Sequence, residues 1–201
     1  MNTLTKITQF ILFVTSYTPL FFLIILKQIS TNVIYLNWGG LNINSVLIWV
    51  EKFGLSIILS IISIVGLLGC KLLFRNLQVV SANGDNVKVH KVDNKNNESI
   101  GYIATYIVPF LFQNFNSWYE LTSLSFLLFI IYKIYINSNL LIVNPILSFR
   151  YSLFEIEYIE QNGKTRKGLI ITKSKYIEED DIIKIYEIGF KLYYCTVRNI
   201  K

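Results

Sequence analysis

FGLSIILSIISIVGLLGC, residues 53–70, is a run of 18 residues without a charge, closed by Glu51 and Lys52 on one side and by Lys71 and Arg75 on the other. At about 1.5 Å per residue it is just long enough for a hydrocarbon core of roughly 30 Å, so the stretch predicts a membrane-crossing helix. Ser56, Ser60, Ser63, Gly66 and Cys70 recur along it at steps of four, three, three and four, which gathers them on one helical face. In lipid, where apolar burial drives little association, a stripe of small side chains lets a second backbone approach closely. Those five residues are the expected helix-packing face, within the chain or between subunits.

Upstream, Ile7 to Leu26 is a second uncharged run, of 20 residues, held between Lys6 and Lys27. It is too long for the apolar core of a signal peptide, and no small-residue cleavage site follows it, so a retained span is expected. Pro19 predicts a kink within it. Downstream, Ser99 to Tyr119 holds 21 uncharged residues and reads as a short span or a re-entrant segment. A fourth span starts at Leu121, meets Lys133 after 12 residues, and reaches membrane length only with Trp118 and Tyr119 included. Residues 134–149 are placed at the interface, since Asn137, Asn139 and Asn144 are too many amides for lipid. The expected fold is therefore membrane α-helical, with four transmembrane helices and a small cytoplasmic antiparallel β module. Residues 1–75 would hold helices 1 and 2, 76–99 a basic loop with a β-hairpin, 100–149 helices 3 and 4 plus the interfacial segment, and 150–201 the β domain.

Composition agrees with embedding. Apolar residues make up 53% of the 201 and charged residues 16%, with a mean hydropathy of +0.46. Of the 32 charges, 14 lie in residues 1–149 and 18 in the last 52. A surface so poor in charge excludes a soluble enzyme, a free nucleic-acid-binding domain and a secreted disulfide scaffold. The loop after the second span carries Lys71, Arg75, Lys88, Lys91 and Lys95, which by the positive-inside bias puts that loop and both termini in the cytoplasm. The net charge of +6 and pI near 9.2 then follow from topology, and no direct nucleic-acid binding is expected.

The tail alternates as strands do. YSLFEIEYIE (151–160) has near period two, Asn162-Gly163 supplies a hairpin turn, and KTRKGLIITK (164–173) returns. Asp180–Ile188 and Phe190–Arg198 predict two more strands, with Gly189 between them. Leu77–Ser81 and Asn86–Val92, flanking Asn83-Gly84, predict a further hairpin in the basic loop. Its Lys88 and Lys91, with Lys164, Arg166 and Lys167 at the tail turn, are the candidate partner-binding residues.

Catalytic and cofactor chemistry is not expected. His90 is the single histidine, so histidine triads, HExxH zinc sites and multi-histidine clusters do not arise. Glu178–Asp181 lacks calcium-loop spacing and reads as a solvated turn. Cys70 and Cys195 have no metal spacing and read as reduced core thiols.

Three stretches, GYIATYIVPF (101–110), INSNLLIVNPILSF (136–149) and FEIEY (154–158), resemble the KwaA family, the membrane subunits of Kiwa anti-phage defence systems. The resemblance implies a multi-pass protein of the bacterial inner membrane, a homo-oligomer taken as a tetramer, that registers phage attack at the envelope. It also implies a cytosolic DNA-binding partner similar to KwaB, recruited or regulated by this subunit, and carries no catalytic residue across. A sensor or scaffold of this kind is the expected function. The other function weighed is a small oligomeric channel, against which stands the lack of a ring-forming acidic residue mid-span.

Overall fold

The computed structural model describes residues 5–36, 40, 42–96, 118–137, 144–160 and 163–197. Helix α1 spans Lys6–Thr31 and begins where the Thr5 hydroxyl accepts from the Thr8 amide. Pro19 lies inside it and does not end it, although the ring removes one amide donor. The Thr15 and Thr18 hydroxyls turn back onto the Ile11 and Val14 carbonyls of the same helix. Asn32 closes the helix, its side-chain amide donating to the Gln28 carbonyl at 2.9 Å.

Helix α2, Ile43–Val80, is 38 residues long, about 57 Å. It runs back against α1: Ser56 meets Gln28, Gly66 meets Val14 and Thr15, and Gly69 meets Ile11. The helix passes straight through Glu51–Lys52 and Lys71–Arg75, so the charges that close the apolar run do not close the helix. Helix α3, Trp118–Asn137, packs on α1 through aromatic edges, with Phe13 at 5.0 Å from Tyr132 and 5.5 Å from Tyr135. A single turn, α4 (Pro145–Ser148), follows Asn144, whose side chain accepts from the Ile146 and Leu147 amides.

Five strands complete the chain: β1 (Asp85–Asn94), β2 (Ser152–Ile159), β3 (Thr165–Thr172), β4 (Ile182–Gly189) and β5 (Leu192–Val197). They close into a barrel in the order β1-β2-β3-β5-β4, returning to β1. All pairs are antiparallel except β3 with β5, which is parallel. Strand β1 serves two neighbours: residues 85–88 pair with β4 and residues 88–94 with β2. His90 is the unopposed residue between Val89 and Lys91, a bulge that bends β1 from one partner to the other. This topology is that of an OB-fold, a five-stranded Greek-key barrel.

Period two then sorts the side chains. Val87, Val89, Phe154, Ile156, Tyr158, Ile170, Ile183, Ile185, Tyr193 and Cys195 fill the barrel. Their neighbours in sequence, Leu153, Ile171 and Tyr194, point outward and share one buried cluster with Cys70 and Phe74 of α2 and with the α1 core. The barrel is thus sealed inside by one core and fastened to the helices by another.

Several expectations are corrected. Among the described residues, two helices, not four, are long and apolar enough to cross a membrane, and the sheet is a closed five-stranded mixed barrel rather than a small antiparallel module. The expected third span, through residue 117, lies outside the described residues. At the expected fourth, the uncharged run from Leu121 to Tyr132 is 12 residues, about 18 Å, well short of a bilayer core. The hairpin expected at Asn83-Gly84 does not form, because Leu77–Val80 finishes α2 and a 3₁₀ turn (Ser81–Asn83) leads directly into β1. Gly84 is needed there for space: a Cβ would collide with the Ile185 carbonyl oxygen.

Candidate functional site

Three places join chemistry to architecture. The first is the α1–α2 contact. Ser56, Ser63, Gly66 and Cys70 are buried on the side of α2 that meets α1, and Ser60 is half-buried. The Thr15 hydroxyl also reaches the Gly66 carbonyl at 3.1 Å, while Gln28 accepts from both the amide and the hydroxyl of Ser56. These bonds fix the register of the two helices in a way apolar packing alone would not. Thr15 and Gln28 escaped notice in the sequence because single polar residues in an apolar run show no period. The opposite face of α2 stays bare: Ile61, Ile64, Val65 and Leu68 are each 57% or more exposed.

The second is the joint between helices and barrel. Phe74 stacks on Tyr151 at 4.4 Å between ring centroids, and Tyr194 stands 6.3 Å from both. Burial pushes the Tyr151 phenol up to about 12 and also raises that of Tyr194, which bonds to Gln78. Asn144, fully buried, donates to the Leu12 carbonyl at 3.2 Å while capping α4, so one side chain ties α1 to the turn that launches β2. The sequence shows Asn144 as an interfacial amide before a proline; its buried position is tertiary and has no local signal.

The third is the end of the barrel where β1 begins and β2 ends. An open cavity of about 360 Å³ is lined there by Asp85, Glu160, Arg166, Glu187, Tyr158 and Tyr193, among others. The Tyr158 hydroxyl donates to that of Tyr193 at 2.9 Å, and burial holds Tyr158 well above the usual phenol range. Arg166 Nε pairs with Glu160 at 2.8 Å. A second hollow of about 330 Å³ adjoins it across Arg166, Glu187 and Tyr193.

The candidate partner-binding residues do not form one patch. Lys88 pairs with Asp180 at 2.8 Å, lowering the Asp180 carboxyl below its usual range. Lys91 is exposed beside the β1 bulge. Lys164, Arg166 and Lys167 do share the β2–β3 turn region, where Lys167 lies 3.4 Å from Glu155. Among the described residues no three His, Cys, Asp or Glu could together hold a metal ion, and both cysteines are free and buried. Burial raises the Cys195 thiol to about 12. Glu178–Asp181 is a turn laid on β1, with the Val89 amide donating to the Asp181 carbonyl and the Asp180 amide to the Val89 carbonyl.

A family model described as anti-phage protein KwaA matches residues 8–194. The chain is also similar to the Kiwa protein KwaA of Escherichia coli O55:H7 (strain RM12579 / EPEC), 28% identical over 98 residues. That match covers 48% of this chain and 50% of the relative, so it spans half of the relative's length. No solved structure matches the chain. The family match, from α1 to the middle of β5, takes in helices, joint and barrel together: the chain belongs to the KwaA family of anti-phage proteins.

Proposed function

We propose that the chain is a membrane-embedded, non-enzymatic sensor and scaffold of anti-phage defence, with the α1–α2 hairpin crossing the bacterial inner membrane and the barrel on its cytoplasmic side. The carrying observation is the bare apolar face of that hairpin. Only 28% of the apolar stretch of α2 is buried, whereas the core helix of a soluble protein is mostly covered. Charges bound the face at both ends: Lys27, Glu51 and Lys52 lie together at one end, Lys6, Lys71 and Arg75 at the other. The 19 helical steps from Lys52 to Lys71 rise about 28 Å, the thickness of a hydrocarbon core. The barrel leaves from the more basic end, which the positive-inside bias places in the cytoplasm.

In this reading copies assemble through the bare helix faces, and a cytosolic DNA-binding effector docks on the barrel wall at the β1 bulge, around Lys88 and Lys91. The channel reading has no comparable support, because Ser56 and Ser63 of α2 and Thr15 of α1 are buried rather than presented to a pore.

Labelling with a membrane-impermeant maleimide tests the placement, since both native cysteines are buried. Lys175→Cys on the barrel should label only after permeabilisation, and Ile34→Cys beyond α1 should label in intact spheroplasts. Labelling of Lys175→Cys in intact spheroplasts, or release of the chain by alkaline carbonate, would sink the proposal.

A further inference from the structure

Alternation along the strands fills the barrel with apolar side chains, and at one end it runs out of them. Past the core, the inward register of every strand arrives at a polar residue. On β1 Asp85 precedes Val87, and on β4 Glu187 follows Ile185. On β3 Arg166 stands opposite Tyr158 of β2, and Glu160 follows just beyond the end of β2. Strand β5 adds Tyr193, directly opposite Glu187. All five strands thus contribute to one polar ring, and it lines the open cavity of about 360 Å³ inside the barrel mouth. Any polar residues would solvate a mouth, so the choice of these has to carry the argument.

Charge comes first. Three carboxylates meet one guanidinium, and the guanidinium is committed to Glu160 at 2.8 Å. Asp85 and Glu187 have no ion-pair partner among the described residues. Asp85 pairs with Ile185 across β1 and β4, which makes Glu187 its diagonal neighbour on the same face, about 7–8 Å away between Cα atoms. Two like charges so placed repel, and a cation between them would remove the cost. The aromatic pair is the second feature. The Tyr158 and Tyr193 rings stand 5.8 Å apart and 83° to one another, two walls of a corner of the kind that holds an ammonium against ring faces. Tyr193 is more than nine-tenths buried. Its hydroxyl takes the Tyr158 proton at 2.9 Å and keeps one lone pair for which the described residues supply no donor. The third is Gly168, in the middle of β3, where a Cβ would lie 2.6 Å from Tyr193 Cε2. The strand gives up an inward side chain at that position to seat the ring.

We propose that the barrel mouth binds an aliphatic diamine or polyamine, one ammonium held by the tyrosine corner and Glu187 and a second by Asp85. The excess of carboxylate calls for positive charge, the spare phenol lone pair calls for a hydrogen-bond donor, and the paired rings favour an organic cation. A metal ion fits less well, because among the described residues no three His, Cys, Asp or Glu could together hold one. The cavity is of the size that small-molecule sites occupy. It is an inward-facing site on a chain whose net charge is +6, so the overall charge gives no hint of it.

The test is isothermal titration of the full chain, in a non-ionic detergent, with putrescine, with n-butylamine as its one-charge counterpart, and with magnesium chloride. Putrescine should bind saturably at one site per chain, about fivefold more tightly than butylamine. At 100 times its Kd it should raise the unfolding temperature by about 5–10 °C. Asp85→Asn and Glu187→Gln, each the same shape without the charge, should each weaken binding about fivefold. Without amine, both should melt at or slightly above the unaltered chain, since a repulsion is gone. Glu178→Gln removes an exposed carboxylate outside the ring and should leave binding unchanged. The proposal is overturned if putrescine shows no saturable binding, if magnesium binds as tightly, if Asp85→Asn and Glu187→Gln bind like the unaltered chain, or if Glu178→Gln weakens binding as much as they do. Binding by the purified chain does not depend on which side of a membrane the barrel lies, so this result and the maleimide result fail separately.

Discussion

Adding one methyl group at three glycines of α2 should give three different signs. At Gly66 a Cβ would lie 2.5 Å from Val14 Cγ1 and 3.2 Å from Val14 Cβ, on a β-branched side chain that has little freedom to turn away. Overpacking of this kind costs about 1–3 kcal/mol. Separating the helices also stretches the Thr15–Gly66 bond, worth about 0.6 kcal/mol in a membrane interior. Against this, Ala is better than Gly in a helix by about 1 kcal/mol. Gly66→Ala should therefore destabilise by about 1–2 kcal/mol net. At Gly69 the nearest atom is Ile11 Cδ1 at 2.9 Å, the movable end of a longer chain, and the two terms should nearly cancel. At Gly54 a Cβ meets only Val50 Cγ1 at 3.7 Å, an ordinary contact, so Gly54→Ala should stabilise by about 1 kcal/mol. Thermal unfolding in detergent reads the series at about 2–4 °C per kcal/mol for a chain of this size. Val14→Ala combined with Gly66→Ala should be less damaging than the two single effects added, the coupling falling at about 0.5–3 kcal/mol. Additive behaviour, or a Gly66→Ala chain as stable as Gly54→Ala, would refute the packing argument.

Three further outcomes follow from the joint and the barrel. Asn144→Ala removes the cap on α4 and the bond to the Leu12 carbonyl, and should cost about 2 kcal/mol, seen as a lower unfolding temperature; Asn144→Ser, which keeps a capping oxygen, should recover part of it. Cys195 and Tyr151 are both raised in the folded chain, to about 12, from ordinary values of 9.0 and 10.0. Only the unfolded chain ionises these two groups between those limits, so their contribution to stability should be present below pH 9 and be lost as pH rises toward 12; urea midpoints from pH 8 to 11 check this, and Cys195→Ala should make the fall shallower. Lys191→Gly should raise the unfolding temperature by the equivalent of about 1 kcal/mol as the turn relaxes.

The sequence shows local order well and closure poorly. Two apolar runs and four tail strands are visible because each repeats its pattern within a dozen residues, and four of the five small residues of α2 lie buried where their spacing gathers them, Ser60 being half-buried. The apolar run ends at Lys71 but α2 continues to Val80, because charges that end an apolar run do not end a helix that still has the outer barrel face to cover with Phe74 and Leu77. The pairing of β1 with β2 joins residues some 70 apart, Lys88 with Ile159 for example, and no local pattern specifies it. The same holds for the parallel contact of β3 with β5, and hence for the barrel end. Phe190 and Lys191 read as the start of a strand, because aromatic and basic residues are rare in tight turns, whereas the structure makes them the turn between β4 and β5.

Helix α2 passes from the hairpin into the barrel without a proline or a break, 38 residues in one rod. A rod has no hinge to absorb a lean. Rotating about 57 Å of helix by ten degrees swings one end by about 10 Å relative to the other. Because Ser81–Gly84 delivers the chain straight into β1, and Phe74 grips Tyr151 on the other side, the barrel must travel with it. The chain is therefore geared: a slight change of tilt among the apolar faces is magnified at the opposite tip into a displacement the width of a helix.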